Sequence, residues 1–132
     1  MSETYICGYR VHEFVHPFTP SAVLFSNEKD NITVSMVDNA LSYVLSIIAI
    51  QDPTVERFKR AKTVFNAIKL ILMNQQPMKP RVRDIKIAID VLEEITNMRA
   101  KSEKDKQDNA RYAFICRMIV SRFDDSPMAE IC

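Results

Sequence analysis

The chain of 132 residues contains a single glycine, Gly8, and no tryptophan. Dinucleotide-binding turns and phosphate-binding loops need glycine where the backbone adopts a positive φ or lies directly against a ligand. Because the only glycine is the eighth residue, the composition disfavours the catalytic scaffolds that depend on such loops. A helical fold with a differently composed N-terminal segment is the expectation that remains.

Histidine is also scarce, and both histidines fall in residues 12–16, which read H-E-x-x-H. On a helix this motif binds zinc through its two histidines, while the glutamate polarises a water molecule. Here Pro17 follows at once, and the chain has no third histidine. In an extended segment, His12 and His16 would lie on one side and Glu13 on the other. We therefore predict that the motif is fortuitous and that the chain has no metal, no cofactor and no catalytic residue.

The three cysteines, Cys7, Cys116 and Cys132, are scattered without paired spacing. This pattern favours a reducing compartment over a disulfide framework, and the apolar surroundings of Cys116 favour a core position over a nucleophile. The N-terminal residues show no signal peptide, and the longest apolar stretch, residues 44–50, is too short for a membrane span. We expect a cytoplasmic or nuclear protein without membrane contact.

Helical periodicity dominates from residue 35 onward, whereas residues 1–34 contain short extended runs at 5–7, 9–11 and 32–34. Ser35 is the expected N-cap of the first helix, and Asp52 followed by Pro53 is typical of the start of the second. The first helix is apolar nearly all round, which predicts that it is innermost. The expected fold is all-α, a bundle of four to five helices (residues 35–132) with an extended N-terminal arm or hairpin (residues 1–34). The predicted helices lie near residues 36–50, 53–75, 81–100 and 107–123.

Charge is distributed unevenly along the chain. Residues 56–86 include nine basic and two acidic side chains, so this segment carries about +7 and the remainder about −6. The basic side chains either contact nucleic-acid phosphates or an acidic protein, or pair with acidic residues of the same bundle such as Asp90, Glu93 and Glu94. The candidate contact residues are Arg57, Lys59, Arg60, Lys62, Lys79, Arg81, Arg83 and Lys86.

Elimination of catalytic sites favours a non-enzymatic protein-interaction module. A broad apolar arc on the helix near residues 110–123 is expected to exceed what four helices bury, which would leave a surface for a protein partner or for self-association. The seven methionines suit an adaptable binding surface. The alternative is a nucleic-acid-binding helical protein that uses the basic segment 57–86.

Residues 117–125 read R-M-I-V-S-R-F-D-D. In this run, in the Gln75-Gln76-Pro77 segment and in the helical pattern through residues 85–89, the chain resembles the small Bcl-2-like virulence proteins of poxviruses. That family has more helices than are predicted here, and residues 1–34 have no counterpart in it. The resemblance implies a cytoplasmic viral protein that binds host cell-death or innate-signalling proteins and forms a homodimer.

Overall fold

The computed structural model of the chain describes residues 4–13, 19–73, 82–98 and 102–123. Within these ranges, a four-stranded antiparallel sheet precedes four helices, so the fold mixes α and β and the all-α prediction is wrong. The strands are β1 (Tyr5–Ile6), β2 (Tyr9–Val11), β3 (Val23–Ser26) and β4 (Asn31–Thr33). The helices are α1 (Val34–Ala49), α2 (Glu56–Leu72), α3 (Val82–Met98) and α4 (Glu103–Ser121).

The strands are ordered β1-β2-β3-β4, and short turns connect β1 to β2 and β3 to β4. Cys7 and Gly8 connect β1 to β2 with φ values of 52° and 79°, the positive values that a two-residue hairpin turn requires. Between β3 and β4, Oδ1 of Asn27 accepts hydrogen bonds from the backbone N–H groups of Lys29 and Asp30 at 2.9 and 2.7 Å. The chain thus forms a small sheet where the sequence indicated only an arm or a hairpin.

Local hydrogen bonds set the helix starts. The N-cap of α1 is Thr33, whose Oγ1 accepts a hydrogen bond from the N–H of Met36 at 3.4 Å, so the predicted cap at Ser35 is wrong. Asp52 does not cap α2 directly, because its Oδ1 accepts from both the N–H and the hydroxyl of Thr54. That turn delays α2 until Glu56, three residues after the predicted start.

The four helices are arranged as a square in which α1 and α3 each contact both α2 and α4. Helix α1 therefore lies at a corner, and the prediction that it is innermost is wrong. Small polar side chains explain its position, because Ser35, Asn39, Ser42 and Ser46 form an exposed stripe along it. The inner side of α1 is apolar and buried, from Val34 to Ile48.

One connected cluster of buried side chains joins the sheet to the bundle. Phe25 of β3 and Ile32 of β4 are fully buried, and the Tyr9 ring lies 5.8 Å from the ring of Phe114 on α4. The sheet thus shields from solvent apolar side chains that the four helices alone would leave exposed. Half of the apolar arc of α4 is buried, including Ile119, and Tyr112, Ala113, Phe114 and Phe123 are half-buried, so the unburied remainder on the described part of this helix is smaller than expected.

Candidate functional site

The residues of the H-E-x-x-H motif that the structure describes do not form a metal site. His12 and Glu13 follow β2 directly and belong to no helix. The Nε2 atom of His12 lies 2.6 Å from Oγ of Ser26, and Glu13 is exposed, while His16 lies outside the described residues. Among the residues that the structure describes, no group of three histidine, cysteine, aspartate or glutamate side chains is placed to hold a metal ion.

The described cysteines offer no reactive thiol. Cys116 is free and fully buried in α4, and burial raises the pKa of its thiol well above the ordinary value, which keeps it protonated. Cys7 is disulfide-bonded, although the scattered cysteines favoured a reducing compartment over a disulfide framework. An odd number of cysteines accommodates one pair together with a buried thiol.

Two basic residues of the candidate set pair with acidic residues of the bundle. Arg57 on α2 donates to the carboxylate of Glu94 on α3 through Nε at 3.0 Å and Nη2 at 2.7 Å. These hydrogen bonds lower the pKa of Glu94 and raise that of Arg57. Arg60 lies 3.3 Å from Glu56 and 3.8 Å from Asp84. Packing of α2 against α3 therefore compensates both arginine charges internally.

The other described candidate cations lie on two helices. Lys59 and Lys62 are exposed on α2, and neither side chain makes an ion pair or a hydrogen bond within the described part of the chain. Arg83 and Lys86 are exposed on α3. Lys79 and Arg81 lie outside the described residues. Among the described residues, the basic segment is therefore divided between internally paired arginines and exposed cations on two helices.

Exposed apolar side chains continue the face that carries the two lysines. Residues 59, 62, 66, 70 and 73 follow the three- and four-residue spacing of one helix face, and all five are exposed. Leu70 is 37% exposed and Met73, at the C-cap, is 59% exposed. With a rise of about 1.5 Å per residue, this face extends roughly 21 Å. We refer to Lys59, Lys62, Asn66, Leu70 and Met73 as the α2 stripe.

The sequence predictions named Met73 only among the methionines that suit a binding surface and did not name Leu70, because they followed the apolar face of α2 and the charge of its opposite face. The spacing of these two residues along α2 could have identified them as members of the exposed face. Leu70 and Met73 share the face of Lys59 and Lys62, whereas the buried Ile68 does not.

A small cavity lies at the corner where α1 ends and α2 begins, with a volume of about 240 Å³. We refer to it as the corner cavity. Its lining combines apolar side chains with two lysines and one aspartate, and Ile50, next to it in the chain, is 64% exposed. The lining residues are Ile48, Ala49, Gln51, Asp52, Pro53, Phe58, Lys59 and Lys62.

A second, larger concavity of about 660 Å³ lies beside the turns of the sheet. Its lining includes side chains of both charges as well as apolar surface. Its lining residues are Tyr5, Gly8, Arg10, Ser26, Asn27, Glu28 and Lys29.

In comparisons with protein-family models, curated proteins and solved structures, nothing matches this chain. The resemblance to poxvirus Bcl-2-like proteins consequently stays a prediction. In the part of the chain that the structure describes, no helix combines the length and the apolar character that crossing a membrane requires.

Proposed function

We propose that this protein is a non-enzymatic interaction module that binds another protein through the α2 stripe. The observation that carries the proposal is the combination of two lysines without partners in the described structure and two exposed large apolar side chains on one helix face. The internally paired cations, Arg57 and Arg60, belong to the interface between α2 and α3 instead.

The stripe has the chemistry of a contact surface for an acidic protein. Complete burial of a fully exposed leucine or methionine side chain contributes about 1.5–3 kcal/mol, so Leu70, 37% exposed, and Met73, 59% exposed, would each supply part of that affinity. Methionine adapts to irregular partner surfaces. Lys59 and Lys62 would attract an acidic surface and accelerate association.

Binding to nucleic acid fits the stripe less well. Proteins that grip single strands combine a basic groove with aromatic side chains on which bases stack, and the α2 stripe contains no aromatic residue. Internal pairing of Arg57 and Arg60 further reduces the number of cations available to phosphates. Nucleic-acid binding is therefore the alternative against which the proposal is tested.

The resemblance noted in the sequence suggests which partners to examine first. If the chain is a viral protein of that kind, the partner would be a host cell-death or innate-signalling factor. A second copy of the chain could instead bind at Leu70 and Met73. Light scattering on the purified protein would then detect a dimer.

The test is capture of proteins from a nuclease-treated cell lysate by the wild-type chain and by a double variant, Leu70→Asp with Met73→Asp. We expect a protein partner that the double variant fails to retain. Ala110→Asp, at an exposed position of α4, is the matched control and should retain the partner. Capture of nucleic acid alone, lost on nuclease treatment and steeply weakened by salt, would overturn the proposal in favour of the alternative.

A further inference from the structure

The corner cavity lies at the lysine end of the α2 stripe, and the apolar residues of its lining are Ile48, Ala49, Pro53 and Phe58. We propose that it receives one bulky apolar side chain from an acidic segment of the partner protein. This inference rests on the proposed function, because the occupant is part of the partner that the α2 stripe binds.

The size of the cavity suits a single large side chain. Its volume of about 240 Å³ exceeds the roughly 150 Å³ of an apolar cavity that binds benzene. Ile48 and Phe58 are 5% and 6% exposed, so they present the edge of the core to the cavity. A leucine, methionine or phenylalanine side chain would cover these two residues, whereas an alanine methyl group would leave most of the space empty.

The polar side chains at the corner are already engaged, apart from the two lysines. Oδ1 of Asp52 accepts hydrogen bonds from the N–H and the hydroxyl of Thr54 at 2.9 and 2.7 Å, which lowers its pKa and keeps it ionised. Nε2 of Gln51 donates to the carbonyl of Ile47 at 3.2 Å. Lys59 and Lys62 therefore provide the charges that remain available at the rim, and they outnumber the single carboxylate.

Backbone hydrogen bonds hold the corner in place without a partner. The N–H of Gln51 donates to the carbonyl of Ile48 at 3.0 Å, and the N–H of Val55 donates to the carbonyl of Asp52 at 3.2 Å. A cavity that is formed before binding costs the complex less ordering entropy than one that must be created. This preorganisation favours an anchor side chain that enters from outside.

Continuity with the α2 stripe determines the direction of the bound segment. Lys59 and Lys62 belong to both features, so a segment anchored in the cavity passes the lysines before it reaches Leu70. Acidic residues next to the anchor would then lie opposite the two ammonium groups. The partner segment is thus expected to have a bulky apolar residue with aspartate or glutamate beside it.

The test uses a random library of twelve-residue peptides displayed on phage, selected on the wild-type chain. We expect the enriched peptides to contain one large apolar residue flanked by acidic residues. Synthetic versions labelled with fluorescein should bind about tenfold more tightly than the same peptides with alanine at the anchor position. Absence of enrichment, or indifference to the alanine replacement, would overturn the inference.

Ala49→Trp provides the matched structural test, because Ala49 lines the cavity and is exposed, so an indole there fills the space without disturbing the core. We expect it to weaken peptide binding about tenfold, while Ala110→Trp leaves binding unchanged, and thermal unfolding verifies that both variants fold. If Ala49→Trp binds the peptides as the wild type does, the inference is wrong.

Failure of this inference is distinguishable from failure of the proposed function. If Ala49→Trp captures the same lysate partner that the variant Leu70→Asp with Met73→Asp loses, the partner binds the stripe and the cavity is not its anchor site. If no protein is captured by the wild type, the proposed function is wrong.

Discussion

The two faces of helix α2 both carry large apolar side chains, but they differ in how exposed those side chains are. On the inner face, Phe65 and Ile68 are fully buried among the other helices. On the outer face, Leu70 and Met73 are large and apolar but remain exposed. Hydrophobicity alone therefore does not distinguish a residue that stabilises the fold from one that is available to a partner. The position of the residue on the helix determines which of the two it is.

The same distinction applies to the charges of α2. Arg57 and Arg60 face the acidic residues of α3 and are paired, whereas Lys59 and Lys62 face outward without partners in the described structure. Because the guanidinium group forms two parallel hydrogen bonds with a carboxylate, arginine suits the paired positions. A count of positive charge along the sequence cannot separate these two pairs.

The largest expected effect is the loss of folding stability when a residue on the inner face of α2 is truncated, compared with the loss on the outer face. Ile68→Ala should lower the free energy of unfolding by about 2–5 kcal/mol, because it removes a fully buried side chain. Leu70→Ala removes a side chain that is already 37% exposed, so it should lower the free energy of unfolding by only about 1 kcal/mol. Urea denaturation of both variants measures the difference. Equal losses would show that Leu70 is part of the core and would break the comparison.

The next effect concerns a charged residue that stabilises the fold. Asp30 accepts hydrogen bonds from the hydroxyl of Tyr9 and from Nη2 of Arg111, both at 2.7 Å, which join the sheet to α4. These interactions, that of Tyr9 above all, lower the pKa of Asp30. Asp30→Asn should therefore lower the free energy of unfolding by about 1–2 kcal/mol near neutral pH.

The pH dependence of that loss follows from the direction of the shift. A carboxyl group with a lowered pKa in the folded state contributes stability above its ordinary pKa of 3.8, and the contribution disappears as the pH falls through the folded-state value. The difference between the wild type and Asp30→Asn should accordingly be constant from neutral pH to about pH 5 and shrink below about pH 4. Urea unfolding at several pH values tests this, and a pH-independent difference would contradict it.

The smallest expected effect on stability belongs to the outer lysines. Lys59→Glu combined with Lys62→Glu should change the free energy of unfolding by less than about 0.5 kcal/mol, since neither side chain has a partner to lose in the described structure. The association rate with the captured partner should fall about tenfold at low salt, as measured by surface plasmon resonance. Arg83→Glu with Lys86→Glu introduces the same charge change on α3, so an equal decrease there would indicate a general charge effect.

The helices could be predicted because each repeats apolar residues at three- and four-residue spacing. The predicted spans agree with α1 to α4 within a few residues at most ends, and the deviations arise from local hydrogen bonds such as those of Asp52 with Thr54. The sheet could not be predicted as a whole. Its missing strand was β3, Val23–Ser26, a short apolar run without alternation whose pairing with both β2 and β4 depends on residues distant in sequence.

The charge asymmetry of the candidate site could be predicted from the sequence, but the division of its cations could not. Pairing of Arg57 with Glu94 spans 37 positions and exists only because α2 packs against α3. The corner cavity likewise depends on how the chain turns between α1 and α2, where the six residues 50–55 take a conformation that helical periodicity does not specify.

Photo-cross-linking from position 66, in the middle of the α2 stripe, tests the central claim most directly. Benzoylphenylalanine replaces Asn66 in one sample and Ala110 in the control, and both are illuminated in a nuclease-treated lysate. The account predicts a covalent adduct with a protein from position 66, absent from position 110 and suppressed by Leu70→Asp. Equal adducts from both positions, or no protein adduct from position 66, would contradict it.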